Sequence, residues 1–536
     1  MTMVVRRITT LGAEVLQLNA TPEVHISGLY GEVLVEEYVE RYISFVGAEV
    51  MVAASIDETW DEPITHTGAM LEIYWDDAWV DETDYLLMDG GFDVQRSMID
   101  PLRGLASMGQ APLGTATFRV RNDDGRYSKT KSGSQAATYG LHGLPIRASL
   151  GYLTEAGLEY EYVFTGRIVD PQNTEAGETA TLYCRDEGET LMRQTASRMM
   201  NAGAQTSSLV ATFATEGGLG VNDYTLDQGL FLVPFAYLEE DNLWQEIQRV
   251  AASEGGLIFI DRLGVLRFWN AAHFASLSSV ATYDESLYAE CLLRYDYDNC
   301  YNVVKVTYDP RQESEQATVY QLRRPVMVPI DGTVTETFQF RWPLAEFDTY
   351  NIAAVTGGGA DISSDVTVAP AVPQNAQSWT VTFTNANTIH PAYITTFEVV
   401  GRVAEGRPAE VYEADPGDVA GSKEARVLSV GQNFYVQTPG QARLLGNLLS
   451  DRLSTEVLTM MLVETPALPT LELGDKITVQ ATNNEIDGDA VITGLHWTFG
   501  PAAKCDITCV DATNLYGDSG YFVIGTSELG TGKLFY

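Results

Sequence analysis

The residues with the clearest claim to chemistry stand near the end of the chain. Gly517-Asp518-Ser519-Gly520 sets a hydroxyl among small neighbours, and Asn270-Ala271-Ala272-His273 supplies an imidazole. A serine becomes a nucleophile only with a histidine base in reach, a carboxylate to orient that base and donors for the developing oxyanion. Both stretches are short and lie far apart, and too little chain follows Ser519 to build a substrate pocket. A motif without its structural context is weak evidence, so no catalytic residue is assigned.

The remaining candidates fail on spacing or surroundings. Gly525, Gly530 and Gly532-Lys533 hint at a phosphate loop, but Leu534 stands where that loop needs Ser or Thr. Gly357-Gly358-Gly359 precedes no helix and fits a hairpin tip. Asp296 and Asp298 could hold a divalent cation, yet they lie among tyrosines ahead of a strand with no nucleotide-binding pattern around them. His25, His66, His142, His273, His390 and His496 are scattered singly, without the paired spacing of a zinc site. His496, in a strand beside Trp497, suits a structural or interface contact. Asn122-Asp123-Asp124-Gly125 is turn chemistry and lacks the ligand spacing of a calcium loop. Acidic residues are too many to single out a glycosidase pair. No catalytic, cofactor-binding or metal site is expected, and no cofactor.

Composition narrows the class. With 536 residues the chain is too long for one core, and about three to five domains are expected. There are 73 acidic against 33 basic residues, a formal net charge of −40, which argues against a surface built to hold DNA or RNA. A generic solvated acidic surface is the more economical account of the charge. The five cysteines are odd in number and dispersed, so no disulfide framework is expected. Cys505 and Cys509 share a strand face with Ile507 and suit a small apolar core role. No window approaches the ~18–20 apolar residues of a membrane span, and the N-terminus lacks a secretory pattern. The expectation is a soluble protein made in the cytosol, with no stable membrane insertion.

The element around which these residues are arranged occurs twice. Residues 144 to 186 read as a meander of LPIRASLGYL, YEYVFTGRIVD with Thr165-Gly166, and TATLYCRD ending on Cys184-x-Asp186. LGDKITVQ, DAVITGLHWTF with Thr493-Gly494, and CDITCVD ending on Cys509-x-Asp511 repeat it. The alignment sets Ile146 against Ile477, Gly166 against Gly494 and Cys184 against Cys509. Glycine inside a strand marks a bulge or a close backbone approach.

The fold expected is mainly β with a few helices and multidomain: two related β-barrel modules plus β-sandwich-like and small α+β inserts. Residues 1–30 are an N-terminal arm and 31–186 a first barrel domain. Residues 187–240 are an irregular connecting insert, and 241–316 a helix-hairpin α+β domain. There Leu243, Trp244, Ile247, Val250 and Ala251 form one helical stripe, stopped by Gly255-Gly256. Residues 317–415 are a β-rich, sandwich-like insert, and 416–511 a second barrel domain. Its helix opens on the capping-box pattern Thr438-Pro439-Gly440-Gln441, with Leu444, Leu445, Leu448 and Leu449 on one face. Residues 512–536 are a C-terminal docking tail.

In order along the chain, several stretches together resemble the tail-hub (baseplate hub, minor tail protein) family of tailed bacteriophages. They are FRVRNDDGRYS, GLPIRASLGY with VFTGRIVD and TATLYCRDEG, IQRVAASEGGLIFIDRLGVLRF, YNVVKVTYD, TFEVVGRV, and LELGDKITVQ with VITGLHWTF. The resemblance covers most of residues 85 to 511. It implies a non-catalytic homotrimer at the tail tip of a virion, assembled in the host cytoplasm, whose paired modules make a pseudo-sixfold ring. The implied partners are the tail tube protein, the distal tail protein, the tape measure protein and a central fibre or receptor-binding protein. DNA would pass through the channel without specific binding. Two alternatives belong to other classes: a tail-tip hydrolase acting on cell wall or protein, and a carbohydrate-binding host-recognition module in the 317–415 insert.

Overall fold

The computed structural model describes residues 68–87, 90–100, 104–154, 157–174, 178–414, 426–500 and 503–516, with the backbone of short strands between 7 and 53. Residues 517–536 lie outside, and with them Ser519, Gly525, Gly530 and Lys533. The chain is mainly β, with several sheets and few helices.

One 13-stranded sheet dominates. Its strands, in chain order, are β1 (Gly68–Trp75), β2 (Ala78–Asp81), β3 (Phe92–Ser97), β4 (Thr115–Arg121), β5 (Pro145–Thr154), β6 (Gly157–Asn173) and β7 (Thr179–Asp186). They continue with β8 (Ser279–Tyr283), β9 (Glu290–Asp296), β10 (Val457–Pro466), β11 (Lys476–Ala481), β12 (Ile486–Phe499) and β13 (Ala503–Asp511). Period-two patterning builds them. Along β4, Ala116, Phe118 and Val120 are buried while Thr115, Arg119 and Arg121 face water. In β13, Cys505, Ile507 and Cys509 are all buried, as the strand face predicts. A fully buried ring such as Phe118 contributes roughly 1.5–3 kcal/mol over an exposed one.

The sheet runs β9-β10-β13-β12-β3-β4-β7-β6-β5-β1-β2, with β11 beside β12 and β8 beside β11. It contains one arrangement twice. β3-β4-β7-β6-β5-β1 and β9-β10-β13-β12-β11-β8 have the same order of first to sixth strand. All pairings within each set are antiparallel except one: β1 runs antiparallel to β5, whereas β8 runs parallel to β11. Two strands of the second module, β8 and β9, thus come from upstream of residue 416.

The ladders also correct the alignment of the repeat. Ile146 pairs with Gly166 and Ile477 pairs with Ala490. Gly166 lies opposite Asp186, and Ala490 opposite Asp511. Ile146 and Ile477, Cys184 and Cys509, and Asp186 and Asp511 therefore do correspond, but Gly166 corresponds to Ala490 and not to Gly494. The misleading signal was the shared Thr-Gly pair. Gly166 marks a close approach, since a Cβ there would lie 2.1 Å from the Arg185 carbonyl oxygen, whereas Gly494 follows a bulge and has room. The entry turns match too: Gly143 and Gly474, at φ +85 and +84, each donate N–H to the isoleucine carbonyl of the neighbouring strand, Ile168 and Ile492.

Residues 187–240, expected to be irregular, carry a helix (Thr206–Glu216) between strands Thr195–Gln205 and Leu232–Asn242. Their buried side chains form one cluster with the helix Leu243–Ser253 and the hairpin Leu257–Ile260/Leu266–Trp269. Alternation is weak in these strands, whose register slips twice, so the sequence pattern hides them. The stripe on Leu243–Ser253 is buried throughout, and Asn242 caps its first turn through the Gln245 N–H. The helix Pro439–Leu453 opens on the capping box from Thr438 and Gln441. Between residues 311 and 406, two sheets enclose an aromatic core of Phe338, Trp379, Phe383 and Phe397. None of the described helices is long and apolar enough to cross a membrane.

Candidate assembly site at the seam between the modules

The two modules meet where β3 runs antiparallel to β12, from Phe92 opposite Phe499 to Ser97 opposite Gly494. β12 is long enough to serve two neighbours on one edge. Its first half, Ile486–Val491, pairs with β11, and β3 takes over after the bulge at Thr493. A bulge bends a strand and increases its twist, which redirects the second half of β12 toward the other module.

Apolar packing and charge both cross the seam. Phe92 stands 5.4 Å from Phe118 and 6.4 Å from Phe499 between ring centroids. Ser97 Oγ donates to the Thr493 carbonyl at 3.0 Å. His496 of β12 bonds through Nε2 to Asp93 of β3 at 3.1 Å and lies 3.6 Å from Asp506 of β13. The bond to Asp93 outweighs partial burial and raises the imidazole pKa.

Beneath the seam lies a buried polar network. Arg96, only 2% exposed, ion-pairs with Glu472 and donates to the Ile260 carbonyl at 3.2 Å. Glu472 also accepts the Arg262 N–H at 2.8 Å, and Arg262 reaches Glu161 and the Pro469 carbonyl. One carboxylate thus ties the hairpin tip Asp261–Gly264 to both modules. Asp186 accepts N–H from Gly114 and Gly188, but burial dominates and pushes its pKa up to about 7. Asp475, in the matching entry turn, is pushed up to about 6 by the same cause. Such desolvation favours the neutral acid.

A second network was missed by sequence reasoning. Glu82, completely buried, receives the Trp75 indole N–H at 2.8 Å, the Tyr127 hydroxyl at 2.7 Å and the Arg126 guanidinium. It fixes the turn Asn122–Gly125 against β1. Glu82 is one of many acidic residues in its stretch, and nothing in the local pattern marks it.

The other chemistry candidates do not converge. His273 Nδ1 bonds to Asp227 at 2.8 Å and its ring lies flat on Trp269 at 4.2 Å, a packed side chain with an orienting carboxylate. Asp296 is buried and bonded to Asn299, whereas the side chain of Asp298 is 95% exposed. Among the described residues no three His, Cys, Asp or Glu side chains are placed to hold a metal ion.

No family model matches the chain, and no curated protein does. Solved structures do. The chain is similar to a tail protein from Neisseria meningitidis MC58, at 11% identity over 84% of this chain and 98% of that one, with a TM-score of 0.47. It is similar to the 43 kDa tail protein of prophage MuSo2 from Shewanella oneidensis, at 10% identity over 83% and 99%, with a TM-score of 0.45. It is similar to prophage tail protein gp18 from Listeria monocytogenes EGD-e, at 9% identity over 82% and 94%, with a TM-score of 0.40.

Proposed function

We propose that the chain is a non-catalytic structural subunit at the tip of a phage tail, a hub that assembles as a homotrimer around a channel. The observation that supports it is the shared strand order of the two modules, joined edge to edge in one sheet. A subunit that presents two equivalent modules lets three copies occupy six positions around an axis, and repeated head-to-tail contacts close such a ring. A threefold tip can then meet a sixfold tube.

In this role the protein joins the tail tube, distal tail and tape measure proteins to a central fibre or receptor-binding protein, and belongs to the virion. The net charge of −40 favours a channel along which DNA slides without adhering. A channel wall lined mainly by arginine would overturn that part.

The decisive experiment is native mass measurement with negative-stain imaging of the purified chain. A ring-shaped trimer with a central hole is expected, and a monomer across the micromolar range would overturn the proposal. Ser519→Ala is expected to leave assembly and infection intact.

A further inference from the structure

Among the strand edges without a partner in the described residues, two correspond to the seam. β3 occupies the first position of its module and pairs with the fourth strand of the other, β12. β9 holds the equivalent first position in the second module. Among the described residues it pairs only with β10, and it presents Leu292 at 44% and Tyr295 at 59% exposure. β6 holds the fourth position in the first module. After β5 ends, its residues Asp170–Asn173 pair only with β7.

We propose that β9 of one copy adds to β6 of a second copy, in the register β3 and β12 use within one copy. This rests on the ring proposed above and names the surfaces that close it. The ladders fix the register. Val94 and Leu293 correspond, because they pair with Ala116 and Met460, which in turn face Cys184 and Cys509. Ile168 and Ile492 correspond through the same cysteines, and a bulge follows each. Carrying the β3–β12 pairs across sets Tyr295 opposite Pro171, Arg294 opposite Gln172, Leu293 opposite Asn173 and Leu292 opposite Thr174 of the partner copy.

Backbone direction agrees. Ile168 points its N–H and C=O to the β5 side, bonding to Leu144 and Gly143, and Thr174 N–H bonds to Thr179 on the β7 side. With one bulged residue between, Pro171 and Asn173 direct their backbone to the free edge, as their equivalents Leu495 and Trp497 direct theirs to β3. Proline has no N–H, so the contact between copies lacks one ladder bond that the internal seam has. Charge agrees too. Within the chain His496 reaches diagonally to Asp93, and across the copies Arg294 takes the same diagonal relation to Asp170. Exposed edges of this kind are templates for strand addition.

The test uses the full chain carrying Cys291→Ser, with Arg294→Cys and Gln172→Cys added. These face each other in a non-hydrogen-bonded pair, where Cα atoms approach to about 4.5 Å, within disulfide range. Mild oxidation is expected to give a covalent trimer on a non-reducing denaturing gel, reversed by reductant. The off-register pair Leu292→Cys and Asp170→Cys is expected to stay unlinked. Hydrogen exchange on the unmodified chain, which needs no variant to fold, should show the Leu293 and Tyr295 amides protected in the assembled state. If native mass gives a trimer while the first pair stays unlinked and those amides exchange freely, the strand addition is overturned and the ring stands. Linkage of the off-register pair overturns the register, and a monomer overturns the ring and this contact together.

Discussion

Cys184 and Cys509, each in the last strand of its module, stand in the same place: each faces an isoleucine across the ladder, Ile168 or Ile492, and in both a bulge follows at once. Both side chains are buried. Because the environments correspond, Ile168→Ala and Ile492→Ala should each destabilise by ~2–5 kcal/mol. Denaturant unfolding followed by tryptophan fluorescence checks the size of each loss and their similarity.

Gly166 and Gly494 look alike in sequence and should respond differently. Gly166→Ala drives a Cβ into the Arg185 carbonyl, and the backbone of β7 must move. Gly494→Ala meets its nearest atom, Thr508 Cβ, at an ordinary 3.4 Å. The expected outcome is a loss of about 1–3 kcal/mol for the first and less than about 1 kcal/mol for the second, measured by the same unfolding assay.

Glu82→Ala leaves Trp75 Nε1, Tyr127 Oη and Arg126 without their shared acceptor. Removing one partner of a buried ionic network typically costs ~3–5 kcal/mol. The first module should lose hydrogen-exchange protection at β1 and the Asn122–Gly125 turn before the aromatic insert does.

Acid should stabilise the chain between neutrality and about pH 5. Folded Asp186, and Glu254 buried at the C-terminal end of the helix Leu243–Ser253, hold protons up to about 7 and Asp475 up to about 6, all through burial, against ~4 for the unfolded groups. Between those values the folded state binds more protons, so stability falls as pH rises. His496 acts in the same direction: its pKa is raised by Asp93, so its stabilisation is complete below ~6.5 and disappears as pH rises through the folded value. The thermal midpoint should be higher at pH 5.5 than at pH 8, and Asp186→Asn should shrink the difference.

Much of the fold was legible because strand period and turn chemistry are local. The meander ends at Asp186 and Asp511, the stripe from Leu243 to Ala251 and the capping box at Thr438 all follow from neighbours in sequence. The seam was not legible. Arg96 and Glu472 are distant in the chain, and neither sits in a pattern that announces burial; only the folded sheet brings them together. The strands at Thr195–Gln205 and Leu232–Asn242 escaped notice because their slipped register blurs alternation. The aligned Thr-Gly pairs misled because a bulge and a close approach both favour small residues, for different steric reasons.

The sixth strand of the shared arrangement, reversed between the modules, gives each module a rim of different polarity. β1 and β8 hold that place but run in opposite directions relative to the strand they cover, and among the described residues only β1 carries a further strand, β2, outside it. Around a closed assembly of three copies, the lining would repeat at every module while the rim alternates. A neighbour gripping that rim would recognise every second position, so parts with different rotational symmetry could dock on one body without competing for the same contacts.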